Sequence, residues 1–381
     1  RIPIIFLFRK LFQILFKGYN LNIFSQSLAY QLEGTSVSVK QVFLPMVDTK
    51  MTQLVHANDL PSGQNVIVAF GCYGGFCEDS IIMNKSSVER GLFRSTFFRT
   101  YKDEEKKDMM TFDEEQFCNP TLVDNCRGLK YGSYEHMDRN GFVRENTFLD
   151  GNDVIIGKVT PESQSSRQKA SATFKDISTT VRANESGVVD RGIITTNQEN
   201  YRLAKVRLRQ EREPTIGDKF ASRISQKGVV GMLYPEADMP VTEQGIVPDI
   251  IVNSHGIPSR MTMSQLLECV YGKVGALSGE FQDGTTFRDV DVQELASSLE
   301  TFGFQRYGNE TMYNGQTGEM MKYQMFIGPT YYQRLKHMTA DKKHARARGP
   351  ILALTHQPAE GRSRQGGLRC GEINLFVSVR C

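Results

Sequence analysis

The segment Gly217-Asp218-Lys219-Phe220-Ala221-Ser222-Arg223-Ile224-Ser225-Gln226-Lys227-Gly228 sets two lysines and an arginine between bracketing glycines. Two ammonium groups aimed at one point would offset the charge of a phosphate. One extended strand would hold Lys219 and Lys227 about 26 Å apart. A straight helix would leave them about 12 Å apart, on faces that do not coincide. A turn within 222–226 removes the conflict, and the glycines tolerate close approach of backbone or ligand. A solvated basic loop is the competing reading of these twelve residues alone.

Three other clusters carry chemistry. A glycine-rich loop from Gly71 ends in the adjacent carboxylates Glu78 and Asp79. Pro258-Ser259-Arg260-Met261-Thr262 puts Arg260 just before an expected helix, whose start is marked by the capping box Thr262-x-x-Gln265. Backbone N–H groups and the helix dipole there favour an anion. The stretch 328–369 is basic and rich in glycine, with Tyr331 and Tyr332 beside Arg334, Lys336 and His337, then Arg346, Arg348, Arg362, Arg364 and Arg369. That mixture suits phosphate neutralisation with stacking, and glycines next to arginines allow backbone N–H contacts to phosphate. Asp289 and Asp291 read as helix-capping residues rather than metal ligands.

These residues need elements to position them. Residues 65–70 read as a buried strand after the turn Pro61-Ser62-Gly63, and Lys85-Ser86-Ser87 could cap a short helix. From 102 to 210 the chain is mostly β, with runs at 154–159, 179–183, 187–190, 193–196 and 204–208. Residues 245–253 read as a strand. Met263, Leu266, Leu267, Val270, Tyr271, Val274 and Leu277 recur at helical spacing, which predicts a buried apolar stripe. A second helix is predicted over 292–302, stopped by Gly303.

The chain has 381 residues, enough for two or three domains; 23% are charged and 39% apolar, as in an ordinary soluble protein. A net charge of +3 is too small to identify a nucleic-acid partner, so the placement of charge matters more than its sum. Seven cysteines without a C-x-x-C pair argue against a zinc ribbon and for reduced thiols inside the cell. Residues 1–17 hold two apolar runs split by Arg9-Lys10, each too short to span a bilayer. A basic amphipathic surface helix is one reading of them, and a misplaced terminus or a buried helix that lacks its neighbours the other. The initial Arg, in place of Met, reads as that of a fragment or of a piece of a translated reading frame.

Several spaced blocks occur in one order: Gly63-Gln64-Asn65, Glu78-Asp79-Ser80, Arg90-Gly91-Leu92-Phe93-Arg94-Ser95, 217–228, Asp238-Met239-Pro240, 258–262, 328–338 and 360–369. Together they resemble the second-largest subunit of multisubunit DNA-directed RNA polymerase, from about Val55 to Gly371. The polymerase II type and the enzymes of large DNA viruses look closest. The resemblance implies a mixed α+β fold: a hybrid-binding region with a double-psi β-barrel, from residues 40–94 and 214–371. A mostly-β wall or flap module, 95–213, is inserted between the halves, and 1–39 and 372–381 are unmatched.

It also implies roles. Lys219 and Lys227 match lysines that reach the RNA 3′ end and the incoming nucleotide, and Arg260 matches the arginine on its triphosphate. Glu78 and Asp79 match the acidic pair near a second, nucleotide-borne Mg2+; the permanent Mg2+ belongs to the largest subunit. Arg334, Lys336 and His337 match a segment lining the RNA–DNA hybrid, and Arg362, Arg364 and Arg369 a switch loop beside it. The implied partners are the largest and other polymerase subunits, template DNA, the hybrid and nucleoside triphosphates, with no membrane. The implied location is the nucleus for a cellular enzyme, or cytoplasm or virion for a viral one. Three departures stand out: Ile224-Ser225 where the family usually has His-Gly, Gln365 where it has Asp, and a loop before Glu78 one residue shorter. A non-catalytic nucleic-acid-binding protein and an inactive polymerase remnant are the alternatives.

Overall fold

The computed structural model describes residues 35–39, 43–59, 61–74, 78–107, 114–162, 173–287 and 291–369. They fall into two compact units divided after Met338. The amphipathic reading of 1–17, the capping role of Asp289 and the tail 372–381 lie outside the described residues.

Mixed helix and strand builds the first unit. Its main sheet has eight strands: β1 (Gln64–Phe70), β2 (Ser80–Asn84), β3 (Lys219–Ser222), β4 (Lys227–Tyr234), β5 (Val241–Thr242), β6 (Ile250–Val252), β7 (Asn309–Tyr313) and β8 (Met320–Arg334). The order is β3-β4-β2-β6-β1-β8-β7-β5, and a further pairing of β3 with β8 closes six of them into a ring. β1, in the middle of the sheet, is buried along both faces. In β1, Val66, Val68 and Phe70 join one core with Met83, Phe220 and Tyr332, while Ala69 joins another with Ile82, Ile251 and Ile327. The close approach of β4 to β2 needs Gly228, where an added Cβ would lie 2.6 Å from the Ile81 side chain and 3.0 Å from Asp79 O. Of the expected strand 245–253, only Ile250–Val252 pairs.

A separate five-stranded sheet leaves and rejoins this frame. Strands Ser95–Glu104 and Arg202–Arg212 run antiparallel with Ser95 opposite Arg212, so the excursion starts and ends at neighbouring points. It has its own core around Tyr101, Ile155, Val189 and Val206. The two predicted runs at 187–196 are one strand, Gly187–Thr196, with a register shift near Val189. Thr35–Val39 pairs with Ser95–Glu104, so part of the segment set apart as 1–39 is built into this sheet.

Helix α1 (Lys85–Glu89) is capped by Asn84, whose Oδ1 accepts from Ser86 N at 3.0 Å, not by Lys85-Ser86-Ser87. Two longer helices follow a short one: α2 (Gly256–Arg260), α3 (Met263–Ser278) and α4 (Val292–Thr301). Asp291 caps α4, accepting from Gln293 N at 2.8 Å, as the capping reading expects. Gly303 follows the helix at a φ of 82°.

The stripe predicted for α3 is borne out in part: Val274 is buried in one core and Leu266 packs against another, but polar residues share the buried face of the helix. Its buried residues are Gln265, Glu268, Cys269, Gly272, Lys273, Val274 and Gly275, whereas Met263 is 54% exposed. The reason lies in β8. Its backbone comes so near that a Cβ at Gly272 would sit 2.8 Å from Pro329 O, and Glu268 Oε1 accepts the Tyr331 N–H at 3.2 Å. Glu268 also takes Arg223 Nη2 at 2.7 Å, and Lys273 reaches Glu310. A crowded, polar contact therefore outcompetes the apolar periodicity; Val270, Tyr271 and Leu277 pack instead with Leu295 and Leu299 of α4.

Arg334 is the second correction. Its side chain is 1% exposed and cannot meet a nucleic-acid phosphate. Nη2 binds Asp218 Oδ2 at 2.6 Å, and Nη1 donates to Phe93 O, Ser95 Oγ and Arg212 O at 2.8–3.0 Å. Burial lowers its pKa, against which Asp218 holds the charge. Tyr331 and Tyr332, at 4% and 1% exposure, are likewise core residues and not stacking platforms.

Removing one partner of a buried pair strands the other charge. Asp218→Ala or Arg334→Met alone is expected to cost about 3–5 kcal/mol, with part recovered in Asp218→Leu/Arg334→Met. Urea unfolding of the chain measures both.

Candidate functional site

The β3–β4 hairpin supplies the turn that the lysine spacing demands. Ala221 pairs with Lys227 and Lys219 with Val229. Because side chains alternate, Lys219 and Lys227 share one face as diagonal neighbours, about 7–8 Å apart at Cα. Ser225 N donates to Ser222 O at 3.1 Å, and Lys227 N to Ser225 O at 2.9 Å. Ser225 makes the turn at a φ of 64°, the left-handed region. This is the position where the resembled family carries Gly. Arg223 takes no part in the cleft: it binds Glu268, donates to Val47 O at 2.8 Å and lies 5.3 Å from the Tyr331 ring.

Four of the five residues singled out for catalysis or metal binding line one cleft: Glu78, Asp79, Lys227 and Arg260. Lys219 stands one diagonal step away, half-buried. Glu78 and Asp79 sit in the turn just before β2, while Arg260 ends α2. Arg260 Nη2 grips both Asp79 oxygens, at 2.6 and 2.8 Å, with side-chain exposures of 43% and 52%. Such an exposed pair contributes little to stability and can exchange partners.

Sequence reading passes over Gln226. It is 8% exposed; its Oε1 accepts from Arg260 Nη1 at 2.8 Å, and its Nε2 donates to Thr262 Oγ1 at 2.7 Å. The expected capping box is thereby broken: Thr262 caps nothing with its side chain, and Gln265 Nε2 donates to Tyr332 Oη at 3.2 Å. Met261, at a φ of 53°, separates α2 from α3, so Arg260 belongs to the end of one helix rather than the start of the next. The one available signal for Gln226 was its place beside Lys227.

The remaining basic residues divide. Lys336 and His337 are exposed just beyond β8. Within the second unit, Arg346 donates to Gln365 O and Pro350 O at 3.0 and 3.1 Å, and Arg362 to Ala340 O at 3.2 Å. These two hold their own loop together. Arg348, Arg364 and Arg369 are exposed.

The chain is similar to known proteins over most of its length. The family described as "RNA polymerase Rpb2, domain 6" matches residues 12–364, beginning well before Val55. The chain is 51% identical over 333 residues to the DNA-directed RNA polymerase II subunit RPB2 of Encephalitozoon cuniculi. It is 52% identical over 332 residues to DNA-directed RNA polymerase II subunit 2 of Arabidopsis thaliana. With subunit Rpo2 of Saccharolobus solfataricus it shares 44% over 333 residues. Each match covers 86% of this chain but only 28–29% of the relative, so the chain spans less than a third of their length.

Two substitutions separate strain from pairing. Ser225→Gly is expected to stabilise the chain by about 1 kcal/mol by relieving the left-handed backbone. Asp79→Ala is expected to cost no more than about 1 kcal/mol. Thermal unfolding distinguishes them.

Proposed function

This chain belongs to the RNA polymerase Rpb2 domain 6 family, and on that premise we propose that it is the active-centre portion of a second-largest subunit of DNA-directed RNA polymerase. With the largest subunit it would form the centre for template-directed synthesis from nucleoside triphosphates. The observation that carries this reading is the cleft that gathers Lys227, Arg260, Glu78 and Asp79, with Lys219 on the same hairpin face.

In this proposal the RNA 3′ hydroxyl attacks the α-phosphorus of a nucleoside triphosphate and pyrophosphate leaves. Lys219 and Lys227 offset charge at the RNA end and the incoming nucleotide. Arg260, held by Gln226, presents a planar fork to the terminal phosphates, a task for which its geometry suits it better than lysine. Its present partner Asp79 is an exposed carboxylate, so a triphosphate can take the guanidinium over. The all-oxygen donors of Glu78 and Asp79 fit Mg2+, which takes few protein carboxylates and completes its shell with water and phosphate. When bound it would supply charge neutralisation on the triphosphate. A permanent Mg2+ is assigned to the largest subunit.

The six-stranded ring supports the double-psi β-barrel assignment. The five-stranded sheet built on Ser95–Glu104 and Arg202–Arg212 supports the wall assignment for 95–213. Contacts to template DNA and the RNA–DNA hybrid are proposed for Lys336, His337, Arg348, Arg364 and Arg369, with the nucleus, or cytoplasm or virion, as the place of action.

In an assembled polymerase, alanine at Lys219, Lys227 or Arg260 is expected to cost about 2–4 kcal/mol in transition-state stabilisation with template affinity little changed. Single-nucleotide extension rates beside template binding test this; equal losses in both count against the assignment. Neutralising Lys336, Arg348, Arg364 and Arg369 is expected to flatten the salt dependence of nucleic-acid binding by about 0.7–0.9 for each phosphate that is no longer neutralised. Arg334→Met should act through stability instead.

A further inference from the structure

We propose that Cys72, His255 and Asn253 form a site for a thiophilic divalent cation of the Zn2+ type, made of other side chains than the carboxylate pair although Asn253 also lines the cleft that holds that pair. Cys72 Sγ lies 3.6 Å from His255 Nδ1 and 3.5 Å from Asn253 Oδ1, and Nδ1 lies 2.8 Å from Oδ1. A tetrahedral ion with bonds of about 2.3 Å to sulfur and about 2.0–2.1 Å to nitrogen or oxygen separates sulfur from either atom by about 3.5–3.6 Å. Two of the three edges already have that length. The N···O edge needs to open by about half an ångström, within the reach of a χ adjustment.

Three lone-pair atoms thus converge on one point, held together by two protons, as the thiol and the ring N–H both donate to Asn253 Oδ1. A cation takes the place of both protons: the thiol proton passes to solvent, and the ring switches tautomer so that Nε2 carries the proton and Nδ1 is left as a neutral donor. The support is preformed. Gly71 N donates to Val252 O at 3.0 Å, joining the loop after β1 to the end of β6, and His255 N donates to Asn253 Oδ1 at 3.1 Å. Asn253 is buried, while Cys72 and His255 are exposed, which leaves the fourth position to water. Cys72 also faces a cavity of about 630 Å³ between Ile257, Met263 and Phe326, an entry path. Among the described residues no three His, Cys, Asp or Glu side chains form a metal cluster. Here the amide oxygen is the third donor. Sulfur and imidazole select Zn2+ or Cd2+ over Mg2+.

The test alkylates the 381-residue chain with iodoacetamide at rising Zn2+ and follows each cysteine by mass spectrometry, with Cys118 and Cys126 as references. At ten times the dissociation constant, Zn2+ is expected to slow Cys72 about tenfold, leave the references unchanged, and have no counterpart with Mg2+. His255→Ala and His255→Gln should each weaken protection at least tenfold. In wild type, Co2+ should give a sulfur-to-metal charge-transfer band that Cys72→Ser removes. Unchanged Cys72 reactivity at 1 mM Zn2+, or protection undiminished in both His255 variants, would overturn the proposal.

Discussion

The contact between Arg334 and Asp218 fixes the geometry on which the cleft relies. Arg334 ends β8 opposite Phe220 of β3, the seam where the six-stranded ring closes. The same guanidinium donates to Phe93 O, Ser95 Oγ and Arg212 O, where the chain leaves for the inserted sheet and comes back. One cation therefore fastens the seam and both crossing points. Asp218 directly precedes the hairpin that carries Lys219 and Lys227, so the pair also sets where those ammonium groups stand.

Burial separates the charges that build from those that act. Arg334–Asp218 and Arg223–Glu268 lie at or near the core, and each costs several kcal/mol to break. Arg260–Asp79 is half in solvent, where water screens the attraction and a competing polyanion can displace the carboxylate. Gln226 stands between the two kinds: it is buried, yet it orients the exposed guanidinium.

Much of the frame was legible because local rules agree with the global fold. The run at 65–70, the helix at 292–302 and the mostly-β character of 102–210 follow from periodicity and capping alone. The cleft was legible in part, since glycines around two lysines call for a turn, and the hairpin is that turn. What stayed hidden depended on distant backbone. Arg334 looks like any other arginine in a basic stretch until Asp218, 116 residues away in sequence, is seen beside it. The polar face of α3 is buried because β8 offers it carbonyls and amides, and no pattern within the helix announces that. Gln226 is concealed in the same manner, because its partners come from α2 and the residue before α3.

The pairing of Ser95 with Arg212 bears on how the chain folds. Strands β2 and β4 lie side by side although the whole inserted sheet separates them in sequence. Were the ring to form first, it would close a loop of well over a hundred residues. If the inserted sheet forms first, its own strand pairing has already brought the ends together, and the effective loop shrinks to residues 85–94 and 213–226, about two dozen. The closure cost then falls by about 1.5 kcal/mol. The excursion is in this sense an internal chaperone for the ring. Changes in length at its far end leave that service intact, whereas changes beside Ser95 or Arg212 remove it.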